Sequence, residues 1–352
     1  MGRKQHTTSP AACRWQGIVF TETPEMRAWI TDNLEGLDRL KLVDVPDPTP
    51  RAGEVVLDVH HASLNPADYY LAQRQYPAAP SLPHVLGRDG IGTVAAVGEG
   101  VSGFKPGDVA LILRSEIGVN RWGTLAEKVA APVESLVHPP KGWTKHQSAA
   151  APLVYLTAYQ ALTQWGEVPP QSVVLVTGAS GGVGVASIQL AVATGHRVIA
   201  LSRSAQKRLT LAEMGASITL DPEDAGWHKT LKDQLKPRGV DLAIDNIGGD
   251  LFPRVIDSLA MNGKVSVVGQ LAGPVPKFAT ATLFFRRLRV GGVAVGTYSP
   301  AESQAAWQIV VETLDRAKLK PIVDSVFPFE QIQEAFARLK QGPMGKVLID
   351  IR

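Results

Sequence analysis

A chain of 352 residues has room for two domains of ordinary size, and its 45% apolar and 20% charged residues exclude wholesale disorder. The 36 Lys and Arg against 33 Asp and Glu leave a formal charge of +3, a balance that excludes a nucleic-acid-binding or membrane-surface protein. A single cysteine, Cys13, excludes an intramolecular disulfide framework and a zinc site built mainly from thiolates, and no apolar run approaches the ~18 residues of a membrane span.

Residues 1–15 read as a disordered tail. Met1-Gly2-Arg3-Lys4 is basic, but Gln5 to Ala12 is largely polar, so no signal-peptide core follows and a reducing, cytoplasmic location is expected. Residues 16–150 carry short β-like runs at 54–60 and 92–97, punctuated by Pro46, Pro48, Pro50, Pro77, Pro80, Pro83, Gly98, Gly100, Gly103 and Gly107. Such dense punctuation predicts an antiparallel β domain with irregular loops. At residue 151 the texture changes. Buried strands at 173–177, 197–201, 217–220, 240–245 and 264–268 alternate with helices at 182–194 and 205–214, which predicts an α/β, doubly wound parallel sheet over 151–298. Helices at 301–317 and 329–341 then lead to a last strand at 346–351.

The stretch Val173-Val174-Leu175-Val176-Thr177-Gly178-Ala179-Ser180-Gly181-Gly182-Val183-Gly184 carries the most information. A glycine-rich loop between a buried strand and a helix N-terminus lets the backbone approach a pyrophosphate, with free N–H groups and the positive end of the helix dipole facing it. About 20 residues on, an acidic residue would bind the adenosine ribose of NAD. Here Leu201-Ser202-Arg203-Ser204 precedes Lys207, with no carboxylate. Ser202, Arg203 and Lys207 are therefore expected to receive a 2′-phosphate, which makes NADPH the expected cofactor.

These residues resemble the medium-chain dehydrogenase/reductase superfamily, in its zinc-free quinone oxidoreductase (zeta-crystallin-like) and enoyl reductase branch. The loop Ala-Ser-Gly-Gly-Val-Gly carries alanine where zinc alcohol dehydrogenases have the first glycine, and Leu175 and Gln189 fit the quinone oxidoreductase signature, with Val192 as a mild departure. Asn65-Pro66-Ala67-Asp68, Gly87-Arg88-Asp89 with Gly92, Gly98, Val101 and Gly107-Asp108, the run Leu156 to Leu162, and Gly345-Lys346-Val347 also match. The resemblance implies a GroES-like catalytic domain over 16–150, a Rossmann NADPH-binding domain over 151–298, and a return to the catalytic domain over 299–352. It also implies a homodimer, or a homotetramer, joined through strand 288–295, with Arg286, Arg287 and Arg289 at a solvated or interface edge.

Zinc-dependent relatives place cysteine where this chain has Asn65 and a His-Glu pair where it has Arg88-Asp89, so no metal is expected. His60, His61, His84 and His138 follow no zinc spacing, and His60 and His61 must face opposite sides of a strand. Without a Lewis acid, conjugated acceptors are the better substrates, because hydride attack spreads charge onto an oxygen that hydrogen-bond donors can hold. The resemblance makes Tyr76 the proton donor of the enoyl thioester reductases, although Arg74 stands where relatives have glycine and a packing role for Tyr76 fits equally.

Asn65 is expected to position substrate or the nicotinamide ribose, Asp68 to cap the adjacent helix, and Thr157 to contact the nicotinamide side. Asn246, Ile247, Gly269 and Gln270 are expected over the cofactor, with Gly292 and Val293 beside them. Arg88 reads either as a buried ion pair or as a binder of an anionic or carbonyl group, and Trp122 as cleft wall or core. The resulting expectation is NADPH-dependent hydride transfer to a small-molecule quinone or an α,β-unsaturated carbonyl compound. Enoyl-CoA or enoyl thioester reduction, and a non-catalytic NADPH-binding sensor or structural protein, are the alternatives.

Overall fold

The computed structural model describes residues 26–113, 116–166, 168–274 and 277–352, together with the backbone of Arg14–Trp15 and Ile18–Val19. Residues 1–13 of the expected tail, Cys13 included, lie outside the described residues. Its last two residues form strand β1 (Arg14–Trp15), which pairs antiparallel with β2 (Ile18–Val19).

The first half of the chain is mainly β. It runs through β3 (Met26–Thr31), β4 (Lys41–Val45), β5 (Glu54–Ser63), α1 (Pro66–Ala72), β6 (His84–Val85), β7 (Gly90–Val97), β8 (Val109–Ile112), β9 (Lys128–Pro132) and β10 (Leu136–Val137). The strand expected at 54–60 continues to Ser63 because both sides of it find partners: β7 and β9 pair with it antiparallel, and so does the distant C-terminal strand β18 (Lys346–Asp350). Within β5, His60 Nε2 meets Thr93 Oγ1 at 2.9 Å, whereas the His61 ring lies 4.5 Å from that of His146, the opposite-face arrangement its period of two requires.

Helices α2 (Lys145–Ala149) and α3 (Pro152–Thr163) open the second half. There follow β11 (Val173–Val176), α4 (Gly182–Ala193), β12 (Arg197–Leu201), α5 (Ala205–Glu213), β13 (Ala216–Leu220), α6 (Trp227–Leu235) and β14 (Val240–Asp245). Next come α7 (Phe252–Ser258), β15 (Leu259–Val267), α8 (Ala281–Phe285) and β16 (Arg289–Gly292). These strands form one parallel sheet in the order β13-β12-β11-β14-β15-β16, with chain order reversing beside β11, as in dinucleotide-binding folds. The fully buried Val173, Val174, Leu175 and Val176 show why this strand reads as continuous apolar sequence: helices cover both faces.

Helix α9 (Pro300–Arg316) packs against α3 and α4, so the crossing back is completed only at β17 (Val323–Pro328), which pairs parallel with β18. The helix expected from residue 329 begins as a 3-10 turn, and α10 spans Ile332–Lys340. Ile91, Leu111, Leu113 and Leu348 share one core with Val154, Leu156, Val174 and Ile188, so the junction between the two sheets is a continuous apolar contact. Among the described residues, no helix is long and apolar enough to cross a membrane.

Candidate active site

The glycine-rich loop after β11 is built by close packing. Gly178 adopts φ +56°, and a Cβ on Gly184 would lie 2.6 Å from the Ala179 carbonyl carbon, so α4 presses directly on the loop that feeds it. A Cβ on Gly181 would meet only Gly178 O, at 3.5 Å, which leaves that side open to a ligand. The first N–H groups of α4 have no acceptor within the helix and carry its positive dipole end toward that opening.

Beneath the loop, Thr177 Oγ1 donates to Asp245 Oδ1 at 2.7 Å, and the Asp245 carboxylate accepts from the backbone N–H groups of Ile247 and Gly248, each at 3.2 Å. Burial pushes the Asp245 carboxyl up from its ordinary range. Asn246 Nδ2 donates to Thr177 O at 2.7 Å, while its Oδ1 is buried with no partner, an acceptor waiting for a donor. A Cβ on Gly269 would lie 3.2 Å from Asn246 O, and Gln270 follows it at the exposed lip. Val293 N donates to Val267 O at 2.8 Å, and a Cβ on Gly292 would meet nothing. Ser180, Gly182, Val183, Asn246, Ile247, Gly269, Gln270, Gly292 and Val293 thus gather at the carboxyl ends of β11, β14, β15 and β16 or on the helix that follows β11. The cradle fits a dinucleotide.

At the end of β12, Ser202 is buried and Arg203 is 73% exposed, 3.7 Å from Glu223. Lys207 points elsewhere: its Nζ donates to Gly342 O on the returning segment. Arg208, which the sequence did not single out, shapes this corner. Its Nη1 donates to Ser202 O at 2.7 Å, to Arg203 O at 2.9 Å and to Asp221 at 2.9 Å. Its partner Asp221 lies beyond the next strand, so no local pattern announces the pair. Thr157, half-buried on α3, donates to Leu153 O at 2.7 Å.

On the catalytic side, Arg88 Nη1 donates to the Tyr76 hydroxyl at 3.0 Å, with the guanidinium carbon 5.1 Å from the phenol ring centre. Asn65, 4% exposed, has its amide fully engaged: Nδ2 donates to Ser63 O at 3.1 Å, and Oδ1 accepts from Lys346 Nζ at 2.6 Å. Asp68 accepts from the Asn65 N–H at 2.8 Å, the helix-capping role expected of it. Lys346 Nζ also donates to Leu64 O at 2.8 Å and stands 3.7 Å from Asp89, whose other oxygen accepts from Leu153 N at 3.4 Å. Burial governs all three ionisable groups. It raises Asp68 to about 6, raises Asp89, and lowers Lys346 despite the charges beside it.

Lys346 entered the sequence reading only within the Gly345-Lys346-Val347 match and was given no role, although a lysine opening a strand of Val347, Leu348 and Ile349 was an available signal. Its stem crowds Gly182, where a Cβ would lie 2.9 Å from Lys346 Cδ, and the adjacent Gly345 N donates to Ser180 O at 2.8 Å. One chain of contacts therefore runs from the phosphate loop through Lys346 to Asn65 and Asp89, next to Arg88. Trp122 belongs to the catalytic-domain core and donates to Pro83 O at 2.9 Å, while Arg121 pairs with Glu54. Gln189 is structural as well: it accepts from the Tyr155 hydroxyl and donates to Lys320 O at 3.0 Å.

Among the described residues, no group of three or more His, Cys, Asp or Glu side chains is placed to hold a metal ion. His138 stacks on Phe104 at 4.3 Å and meets Gly103 O at 3.2 Å; His84 is 1% exposed. A zinc ion does not fit an amide, a guanidinium and an ammonium gathered at Asn65, Arg88 and Lys346.

Fold and site define a two-domain oxidoreductase that uses a nicotinamide cofactor. Residues 51–141 match the family profile described as alcohol dehydrogenase GroES-like domain, and 182–313 that described as zinc-binding dehydrogenase. The chain is 32% identical to the rat synaptic vesicle membrane protein VAT-1 homolog over 348 residues, covering 93% of this chain and 84% of that one. It is 29% identical to acryloyl-coenzyme A reductase of Sulfurisphaera tokodaii (88% and 96% covered) and 28% identical to rat quinone oxidoreductase (92% and 97% covered). Among solved structures, an NAD-dependent alcohol dehydrogenase superposes with TM-score 0.84 at 32% identity, covering 93% of this chain and all of that one. A mycobacterial protein complexed with NADPH gives TM-score 0.84 at 26% identity, covering 93% and 100%. The chain belongs to the medium-chain dehydrogenase/reductase superfamily.

Proposed function

We propose that this protein is a zinc-independent, NADPH-dependent reductase of quinones or of the C=C bond of α,β-unsaturated carbonyl compounds. The observation that carries the reading is the Tyr76 hydroxyl, held by a guanidinium in a centre whose donors suit an oxyanion and not a metal cation. When bound, the nicotinamide supplies the hydride. Tyr76 donates a hydrogen bond and then a proton to the acceptor as negative charge develops on its oxygen. Asn65, clamped by Lys346 and Ser63, supports the substrate side of the cleft without offering a free donor. The relatives named quinone oxidoreductase and acryloyl-coenzyme A reductase support acceptors of this electronic type, and the second keeps enoyl thioesters within the reading.

Arg203 supports NADPH over NADH: it is the exposed cation at the end of β12, held only by a solvent-exposed ion pair with Glu223, whereas Lys207 and Arg208 bond to the protein at shorter range. A homodimer through the edge strand β16 is supported by the exposed Val290, Phe284, Phe285 and Met261 around it. Arg286 does not share that edge; it turns inward to the carbonyls of Ile256 and Leu259 at the end of α7.

The test is oxidation of NADPH and of NADH, followed by absorbance, with a benzoquinone, a 2-alkenal, an aryl enone and crotonyl-CoA, with and without EDTA. EDTA-resistant, NADPH-selective turnover is expected. Tight NADPH binding with no turnover of any acceptor would overturn the reading in favour of a sensor or structural protein.

A further inference from the structure

We propose that Arg88 and Tyr76 act as a paired oxyanion site, in which Arg88 orients the Tyr76 proton and adds a second, charged donor to the substrate oxygen. The assignment rests on the reductase reading above and names the part of the site that sets its electrophilic power.

The hydrogen-bond inventory gives the first argument. A phenol has one proton and an oxygen that can accept. In this structure the Tyr76 oxygen accepts from Arg88 Nη1 at 3.0 Å. An arginine has only donors, so the Tyr76 proton cannot return along that bond and is directed outward. With the guanidinium also set against the ring at 5.1 Å, the phenol is held at both its oxygen and its face.

The charge on Arg88 gives the second. Half-buried, it makes no direct ion pair among the described residues, although its charge is felt by the buried Asp68 and Asp89 carboxyls. Asp89 is engaged with Lys346 and the Leu153 N–H, and Asp68 with the Asn65 N–H. Arg88 Nε is buried and unpartnered. A half-buried guanidinium whose neighbouring carboxyls are hydrogen-bonded to other partners stabilises negative charge that appears beside it more than it would in bulk water. Loop geometry fixes its place. Gly87 has φ +100°, and a Cβ there would lie 2.9 Å from Leu125 N, so the turn presenting Arg88 is clamped by the strand connection above it.

For an enone, the β-carbon receives the hydride with its electron pair from NADPH. The π electrons shift to leave an enolate, and its oxygen accepts hydrogen bonds from the Tyr76 hydroxyl and Arg88 Nη2. The Tyr76 proton then passes to the enolate, and water returns a proton to the phenolate. The acceptor gains one hydride and one proton, and NADPH becomes NADP⁺. The preferred substrate class is a conjugated carbonyl whose oxygen becomes a localised oxyanion.

The experiment compares wild type, Arg88→Ala, Tyr76→Phe and the double variant by steady-state reduction of an aryl enone, with NADPH dissociation constants from fluorescence. Arg88→Ala is expected to lower kcat by about a hundredfold, the cost typical of losing one oxyanion donor, with NADPH affinity retained. Added guanidinium ion is expected to restore part of the loss. The double variant is expected to be little worse than either single one. An Arg88→Ala protein with wild-type kcat, or one whose losses multiply with those of Tyr76→Phe and resist guanidinium, overturns the assignment while the reductase reading stands. A wild-type protein inert toward every acceptor overturns both. Should Arg88→Ala fail to fold, Arg88→Met, of similar reach and no charge, decides by the same loss or retention of kcat.

Discussion

Single side chains here owe their roles to partners far away in sequence. Arg203 and Lys207 are four residues apart and equally basic, yet one lies in solvent with only an exposed ion pair to Glu223 and the other is bonded to Gly342. Arg203→Ala is therefore expected to weaken NADPH at least about tenfold, as the loss of a charge-assisted hydrogen bond implies, and to leave NADH unchanged. Titration of both cofactors measures this, and equal losses would remove Arg203 from 2′-phosphate recognition. His84 offers a second test. Burial holds its pKa down to about 4, whereas the unfolded chain takes up that proton near pH 6.5. The contribution of neutral His84 to stability is complete above about pH 6.5 and is lost as pH falls to about 4, by at most about 3 kcal/mol. In His84→Gln that loss is absent, so urea unfolding should show the stability gap between the two proteins narrowing on acidification. A gap independent of pH would refute the burial argument.

Two elements carry the cofactor site through backbone proximity. Helix α4 can approach the end of β11 only because Gly184 lacks a side chain, and the neighbouring atoms are backbone, which cannot rotate away. Gly184→Ala is expected to cost about 1–3 kcal/mol of stability and to weaken NADPH and NADH together, since the shared pyrophosphate cradle is displaced. Thermal unfolding with and without cofactor checks both. Unaltered cofactor affinity would show that the cradle tolerates the shift. Strand β18 is the second element. Its pairing with β5 delivers Lys346 to Asn65 and Gly345 to Ser180, so the last strand in the chain braces both halves of the cleft.

For the whole molecule, the shared core of Ile91, Leu111 and Leu348 with Val154 and Val174 makes the junction of the two sheets part of the folded interior. The opposite edge of the cofactor sheet, at β16, has no strand beyond it among the described residues and leaves Val290 42% and Phe285 75% exposed. An unpaired edge with apolar side chains seeks a partner. Val290→Asp is expected to weaken self-association by at least about tenfold, because two carboxylates would face each other across the symmetric contact. Sedimentation velocity over a dilution series measures it, and a wild-type chain that is monomeric at all concentrations would exclude the edge as an interface.

Period, punctuation and glycine spacing are local properties, and they were enough to identify the parallel sheet and the glycine-rich turn between strand and helix at 178–184, because each is formed by neighbours in the chain. The capping role of Asp68 was legible for the same reason. The partners of Arg88, Lys207, Arg208 and Lys346 were not legible, since each side chain meets its partner only after strands distant in sequence are brought together. Period alone could place His60 and His61 on opposite faces, but not the surroundings of Tyr76, which the fold packs against the first-half core with Arg88 set on its oxygen. Sequence determined which chemistry the chain carries. Tertiary structure decided which of those groups are engaged, because only burial and long-range pairing bring a donor or a charge to a partner distant in sequence.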